Sequence, residues 1–256
     1  MSLPTEVGFY GKLPSHGDFL RRRVSDAFVS AWDPWLQDCL AATRTELGDS
    51  WLDIYLTSPA WRFACAAGAL GPCPVVGVMV PSVDRVGRYF HLALVAELSA
   101  DTDLIAAATK AATFFEAAEE LAIDTLAADP VDFDGFDNAV LTLGQELEAL
   151  QQPPAVALDA AVTEVFRNDG ITQWQIPLGT PPRLSGVLEQ ILSRHLSMLY
   201  EPLVLWWTGG SGIVEPSFLI SKGLPDPGTF AALLDGAWSN RGWRQVHAAV
   251  AAPADG

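Results

Sequence analysis

The hexapeptide Val75-Val76-Gly77-Val78-Met79-Val80 carries no polar side chain and is bounded by Pro74 and Pro81. A strand sends successive side chains to opposite faces of its sheet. A strand that is apolar at every position therefore has two faces to bury. The flanking prolines limit its length, because proline cannot donate to a central ladder. A turn over Val83–Gly87 follows, and Arg88–Leu98 returns as a second β-rich run. The pair reads as a β-hairpin with a glycine-containing loop.

Other elements follow from spacing. Residues 6–22 read as a short strand and a loop punctuated by Gly8, Gly11, Pro14 and Gly17. Ser25-Asp26 offers a helix N-cap, and Phe28, Trp32, Trp35, Leu36 and Leu40 then share one helical face. Pro34 is expected to interrupt or kink this helix, and Gly48 to stop it. Asp53–Thr57 alternates and reads as a strand, whereas Trp61–Ala66 suits either a strand or a helix start. The Ala-rich run 101–128 reads as one helix beginning near Asp101, and a second helix covers Asp137–Leu150. Gln151-Gln152-Pro153-Pro154 is the best linker. It is either an internal boundary or a long loop within a single domain spanning residues 1–256. Beyond it, a strand is expected around Gln173–Ile176, a helix over Arg183–Met198, strands at Leu203–Thr208 and Ser217–Ile220, and a short helix over Pro227–Asp235. Hairpins mixed with helical crossovers imply an α/β protein. The expected architecture is a mixed, mostly antiparallel sheet with helices packed on it, with a three-layer α-β-α sandwich as one arrangement.

Half of the residues are hydrophobic, enough for a sizeable core. No run of about 20 apolar residues is free of charge, and the N-terminus lacks the basic and apolar regions of a secretory signal, so a cytoplasmic protein is expected. Cys39, Cys65 and Cys73 read as buried free thiols. The net charge of −16 argues against nucleic acid as a partner. Lys110 is the lone base between Asp101 and Glu164. That acidic stretch is either a set of solvated helix faces or a surface that steers a basic partner.

Catalytic and metal motifs are missing from the sequence. Gly209-Gly210-Ser211-Gly212-Ile213 lacks the final glycine of a nucleophile elbow. Neither Lys12 nor Lys222 closes a phosphate-binding loop. The acidic run Asp132–Asp137 has the wrong spacing for calcium and reads as a turn with a helix N-cap. None of His16, His91, His195 and His247 pairs at ligand spacing, so no metal and no cofactor is expected. Ser15-His16-Gly17-Asp18 places a hydroxyl, an imidazole and a carboxylate side by side, but sequence neighbours make a poor triad. His91 reads as a satisfied core histidine. Trp206-Trp207 should send one ring to each face of the sheet.

Two charged Gly/Pro loops stand out as candidate sites. One carries Lys12, His16, Asp18, Arg21 and Arg22; the other carries Ser82, Asp84, Arg85 and Arg88. Such loops either bind a partner or lock themselves to the scaffold, with Asp18 and Asp84 pairing to Arg62, Arg85 or Arg88.

The segment Gly8-Phe9-Tyr10-Gly11-Lys12-Leu13-Pro14-Ser15-His16-Gly17-Asp18-Phe19-Leu20-Arg21-Arg22 resembles the opening signature of the TagF (ImpM) family, accessory proteins of bacterial type VI secretion systems. Trp32-x2-Trp35-Leu36, Tyr55-Leu56-Thr57-Ser58-Pro59-x-Trp61-Arg62-Phe63 and Pro81–Phe90 resemble further blocks, in order and with matching spacing. After about residue 130 the likeness is loose, around Trp206-Trp207 and Ser221–Pro225. The resemblance implies a cytoplasmic, post-translational repressor of secretion-system assembly. It also implies a forkhead-associated-domain scaffold protein of that apparatus as partner, and it supplies no catalytic residue. The phosphatase domain fused to some members is not expected here. The rival expectations are a hydrolase or transferase using His16, Asp18 and Asp84, and a structural component of the machine.

Overall fold

The apolar hexapeptide forms the middle of a sheet covered on both sides. The computed structural model describes residues 5–151 and 184–246. Its strands are β1 (Val7–Gly11), β2 (Leu20–Arg22), β3 (Trp61–Cys65), β4 (Val75–Val80), β5 (Leu92–Glu97), β6 (Leu203–Thr208) and β7 (Ser217–Lys222). They form one sheet in the order β2-β1-β5-β4-β3-β6-β7, antiparallel at every pairing. The strand expected around Gln173–Ile176 and the Gln152-Pro153-Pro154 part of the linker lie outside the described residues. Strands from either side of that linker nevertheless pair directly, with Phe63 opposite Trp206.

Alternation along β4 separates two cores. Val75 and Met79 face an aromatic-rich layer made by α1 (Asp26–Leu47), α2 (Trp51–Thr57) and α7 (Ala231–Asp235). Val76, Val78 and Val80 face an alanine-rich layer made by α3 (Leu104–Lys110), α4 (Ala112–Ala127) and α5 (Phe133–Thr142). The result is a three-layer α-β-α sandwich. Gly77 has no side chain because a Cβ there would lie 2.7 Å from the Phe63 ring and 2.5 Å from the Leu94 carbonyl oxygen. Trp206 lies in the aromatic core, 5.0 Å from Phe63, while Trp207 lies on the opposite face, 4.7 Å from Phe115. One ring thus goes to each face, as strand alternation requires.

The α1 helix begins where the Ser25 side chain accepts a hydrogen bond from the Phe28 amide at 3.0 Å and ends at Gly48, with φ 54°. Phe28, Trp32, Leu36, Cys39 and Leu40 bury its inner face. Each large apolar side chain buried in this way contributes about 1.5–3 kcal/mol. Pro34 does not end the helix. It lies on the exposed face, as does Ser30 one turn earlier, so water can solvate the carbonyl left without a donor.

Several expected elements differ. Asp53–Thr57 is part of helix α2, not a strand, because Trp51 and Tyr55, four residues apart, bury and stack at 4.9 Å. Trp61–Cys65 is a strand. The strand that returns after β4, β5, begins at Leu92 rather than Arg88, because residues 81–91 fold on themselves. The run 101–128 is two helices. It starts at an Asp103 N-cap and breaks at Ala111, which lets α3 pack against α6 (Leu184–Leu199) while α4 crosses β4. The next helix starts at Phe133 rather than Asp137, because the Asp132 carboxylate caps the Gly135 amide at 3.0 Å. It gives way to a 3-10 segment over Leu143–Gln151. The expected helix over Pro227–Asp235 is a 3-10 turn followed by α7. Cys39 and Cys65 are buried, and burial pushes both thiols up, while Cys73 is only half-buried.

Candidate functional site

Strands β1 and β4 both run antiparallel to β5, so they run parallel to each other and their C-terminal ends lie at the same edge. The loop after β1 and the loop after β4 therefore meet. Gly11 permits the close approach: its φ is 143°, and a Cβ there would lie 2.2 Å from the His91 carbonyl oxygen.

The two loops are stapled by a buried ion pair. Lys12 Nζ donates to Asp84 Oδ2 at 2.8 Å, with side-chain exposures of 5% and 0%. Arg88 Nε donates to the same oxygen at 2.7 Å. Asp84 Oδ1 accepts from the amides of Val86 at 3.0 Å and Arg88 at 2.8 Å. Burial alone would raise the Asp84 pKa. The hydrogen bonds from Lys12, Arg88 and Val86 outweigh it and hold the carboxyl well below the usual carboxylate range. Asp84 thus organises its own loop, in which Asp84 N also donates to Arg88 O and Val83 bridges Tyr89.

Further bonds tie the loops to the two helical layers. Ser82 Oγ donates to the Lys12 carbonyl at 2.7 Å, and the Ser82 amide and carbonyl both engage the Tyr55 hydroxyl of α2. The Arg85 amide donates to the His16 carbonyl at 3.0 Å, and Arg88 Nη2 donates to the Gly17 carbonyl. On the other side His16 packs 4.9 Å from Phe133, and Arg23 bonds both Asp137 and the Val7 carbonyl.

The expected site residues thus separate into two groups. Lys12, Ser82 and Asp84 are buried struts. Asp18, Arg85 and Arg88 are exposed on the loops, joined by Phe19 and by Val86, which is 64% exposed. Arg85 has no ion pair among the described residues, whereas Arg88 lies 4.0 Å from the fully exposed Asp18. Arg21 pairs with Asp26 at 2.6 Å, and Arg22 lies 3.8 Å from Asp137, so both line the strand β2 side. Arg62 is not part of this cluster. It sits on β3 and pairs with Glu119 of α4 at 2.7 Å, because its strand position points it to the alanine-rich layer. The expected pairing of Arg62 with Asp18 or Asp84 is thereby corrected.

No described hydrogen bond links His16 to Asp18 or Asp84. The His16 Nδ1 atom is 2.8 Å from Ser15 Oγ. With both oxygens of Asp84 engaged by cations and amides, that carboxylate is a poor proton acceptor. His91 is buried between Tyr55 and Phe230, and desolvation pushes its pKa down to about 3. Its Nδ1 has no partner among the described residues, so it is a neutral core histidine rather than a satisfied one. The described residues contain no grouping of His, Cys, Asp and Glu suited to a metal ion, and no helix long and apolar enough to cross a membrane.

Phe19, Val86 and Tyr55 were not singled out by their chemistry in the sequence. Phe19 stacks on Tyr10 at 5.5 Å and lies 5.0 Å from Lys12 Nζ, a contact visible only once the loop closes.

The described residues thus form an α-β-α sandwich that braces two charged loops at one edge of its sheet through a buried lysine–aspartate pair. The TagF N-terminal domain, type VI secretion system-associated, matches residues 8–143, and the chain belongs to this family. The crystal structure of PA0076 from Pseudomonas aeruginosa PAO1 is 31% identical, with a TM-score of 0.72 over 96% of this chain and 100% of that one. No curated protein matches the chain.

Proposed function

We propose that this type VI secretion-associated protein is a cytoplasmic, post-translational negative regulator that works by binding a protein and not by catalysis. Its partner in this reading is the forkhead-associated-domain scaffold of the apparatus, whose capture holds assembly in check. The observation that carries the reading is the division of labour in the loops. Lys12, Ser82 and Asp84 are buried and bonded to one another's loops, while Asp18, Phe19, Arg85 and Val86 are left exposed. A rigid strut beneath an exposed, mixed-charge rim suits recognition, because a preorganised loop loses little entropy on binding. An enzyme using Asp84 as a base would instead need that carboxylate free.

The test is capture of the scaffold from cytosol by the full chain, at low and moderate salt, alongside a secretion assay. Asp18→Ala and Arg85→Ala should stay folded, lose capture, and release secretion from repression. Full repression by both folded variants would overturn the assignment. A stoichiometric presence of the protein in purified assembled particles would favour a structural component instead.

A further inference from the structure

Beside the loop at residues 81–91, between the start of α2 and the end of α1, lies an open depression of about 430 Å³. That volume is within the range of about 300–1,000 Å³ common to ligand sites. Its walls include Arg44, Asp49, Trp51, Leu52, Arg88 and Tyr89.

The polar groups here hold unused capacity. The Arg44 guanidinium lies 4.3 Å above the Trp51 ring and has no carboxylate partner among the described residues. A cation over a ring still has its N–H donors to offer. Trp51 is fixed in place, since its Nε1 donates to Thr43 Oγ1 at 2.9 Å. Arg88 engages Asp84 and Gly17 through Nε and Nη2, which leaves Nη1. The Tyr89 ring packs at 5.4 Å from Trp51, and its hydroxyl has no hydrogen bond among the described residues. Leu52 lines the depression beside these donors, and Leu56 lies one turn further along α2; they are 38% and 53% exposed.

The unpaired donors select the ligand. Arg44 has no carboxylate partner among the described residues, and Arg88, although paired with Asp84, keeps Nη1, so the depression offers donors for one carboxylate on a chain of net charge −16. A single carboxylate is drawn to it, whereas a polyanion such as nucleic acid meets the repulsion of the whole chain. We infer that this depression docks an acidic peptide segment of a protein partner, with an Asp or Glu carboxylate held by Arg44, Arg88 and Tyr89 and a neighbouring apolar side chain on Leu52 and Leu56. This deepens the partner-binding reading above and rests on it.

The experiment is selection of a random displayed-peptide library on the full chain. Arg44→Glu serves as the counter-target, and Arg194→Glu is an equal charge change at a remote exposed arginine. Peptides that pair an acid with an apolar residue should be enriched. The selected peptide, resynthesised and labelled, should bind Arg44→Glu at least about tenfold more weakly and Arg194→Glu unchanged, with Leu52→Ala in between. Replacing its acid by the amide should give a similar loss. Thermal melts matching the native chain would show the variants folded, as expected for exposed positions. Failure to enrich, enrichment without acids, or equal weakening by Arg194→Glu would overturn the inference. The library contains no scaffold protein, so its outcome is separate from the capture experiment. Scaffold capture with no Arg44-dependent peptide would overturn this site alone. An Arg44-dependent peptide with no scaffold capture would overturn the choice of partner alone.

Discussion

The two helical layers hold the same sheet by different means. On one side, Trp32, Trp35, Phe63, Trp206 and Phe230 form a continuous aromatic cluster, partly stacked and partly edge-on, with ring centroids 5.0–6.2 Å apart. Indole N–H groups pin its edges: Trp35 donates to Pro225 O, and Trp61 to Leu233 O, at 2.8 and 2.9 Å. On the other side, Ala107, Ala111, Ala118 and Ala122 are fully buried and let α3 and α4 lie close to the valines of β4. Large rings fill space where helices stand off, and small residues close it where they approach. Each layer also braces one loop: Tyr55 of the aromatic layer holds Ser82, and Phe133 and Asp137 of α5 hold His16 and Arg23. The Lys12–Asp84 pair is the one buried ion pair among the described residues, and it joins the two loops. The buried part of the coupling between the loops is thus electrostatic, with the Ser82–Lys12, Arg85–His16 and Arg88–Gly17 hydrogen bonds beside it.

The largest break should come from that contact. Asp84→Ala leaves Lys12 buried without a counter-charge and frees two amides, so urea unfolding should show a loss of about 3–5 kcal/mol. The double variant Lys12→Met, Asp84→Leu should recover part of that loss, since no buried charge is left unpaired; an equal or greater loss would refute the strut.

Next in size, the layers should respond in opposite senses to volume. Trp32→Ala empties the aromatic cluster and should cost about 3–5 kcal/mol. Ala118→Leu overfills the alanine-rich layer and should cost about 1–3 kcal/mol. A mild effect of Trp32→Ala, measured the same way, would show that the ring cluster is not the anchor of its layer.

Acid should weaken the aromatic layer before the strut. The His91 pKa is depressed from 6.5 to about 3, so below pH 6.5 the unfolded chain binds a proton that the folded chain refuses. His91 thus contributes stability that is present above pH 6.5 and is lost as pH falls towards 3, with a slope of at most about 1.4 kcal/mol per pH unit. The Asp84 carboxylate, also depressed, adds a loss only below its unfolded value near 3.8. His91→Phe should flatten the stability profile between pH 6 and pH 4, to a first approximation set by these values. An unchanged slope would locate the acid sensitivity elsewhere.

The smallest effect on stability belongs to the exposed rim. Arg85→Ala should change unfolding free energy by less than about 0.5 kcal/mol while abolishing scaffold capture. This separates presentation from support within one loop.

Much of this arrangement was legible locally. Ser25, Gly48 and the spacing of Phe28, Trp32 and Leu36 marked α1, because capping and helical periodicity act within a few residues. The apolar run at Val75–Val80 implied a strand covered on both sides, because alternation is a property of the chain itself. The Gly8–Arg22 and Pro81–Phe90 blocks pointed to both loops and to the family. Asp53–Thr57 misled, since a five-residue run does not separate period two from period four until Trp51 is buried. The partners of Asp84 were legible only in part. Of the candidates Arg62, Arg85 and Arg88, Arg88 does bond it, but Lys12, 72 residues away, supplies the buried counter-charge that the sequence did not point to.

The sequence by itself determined what depends on near neighbours: helix caps, strand alternation, the uncharged β4 run and the charged loops that its prolines and glycines interrupt. Only the tertiary structure decided which charge is buried and which is presented. Strand pairing of β1 and β4 through β5 places Lys12 beside Asp84, and burial, a property of the packed whole, turns that contact into a strut while leaving Arg85 in solvent.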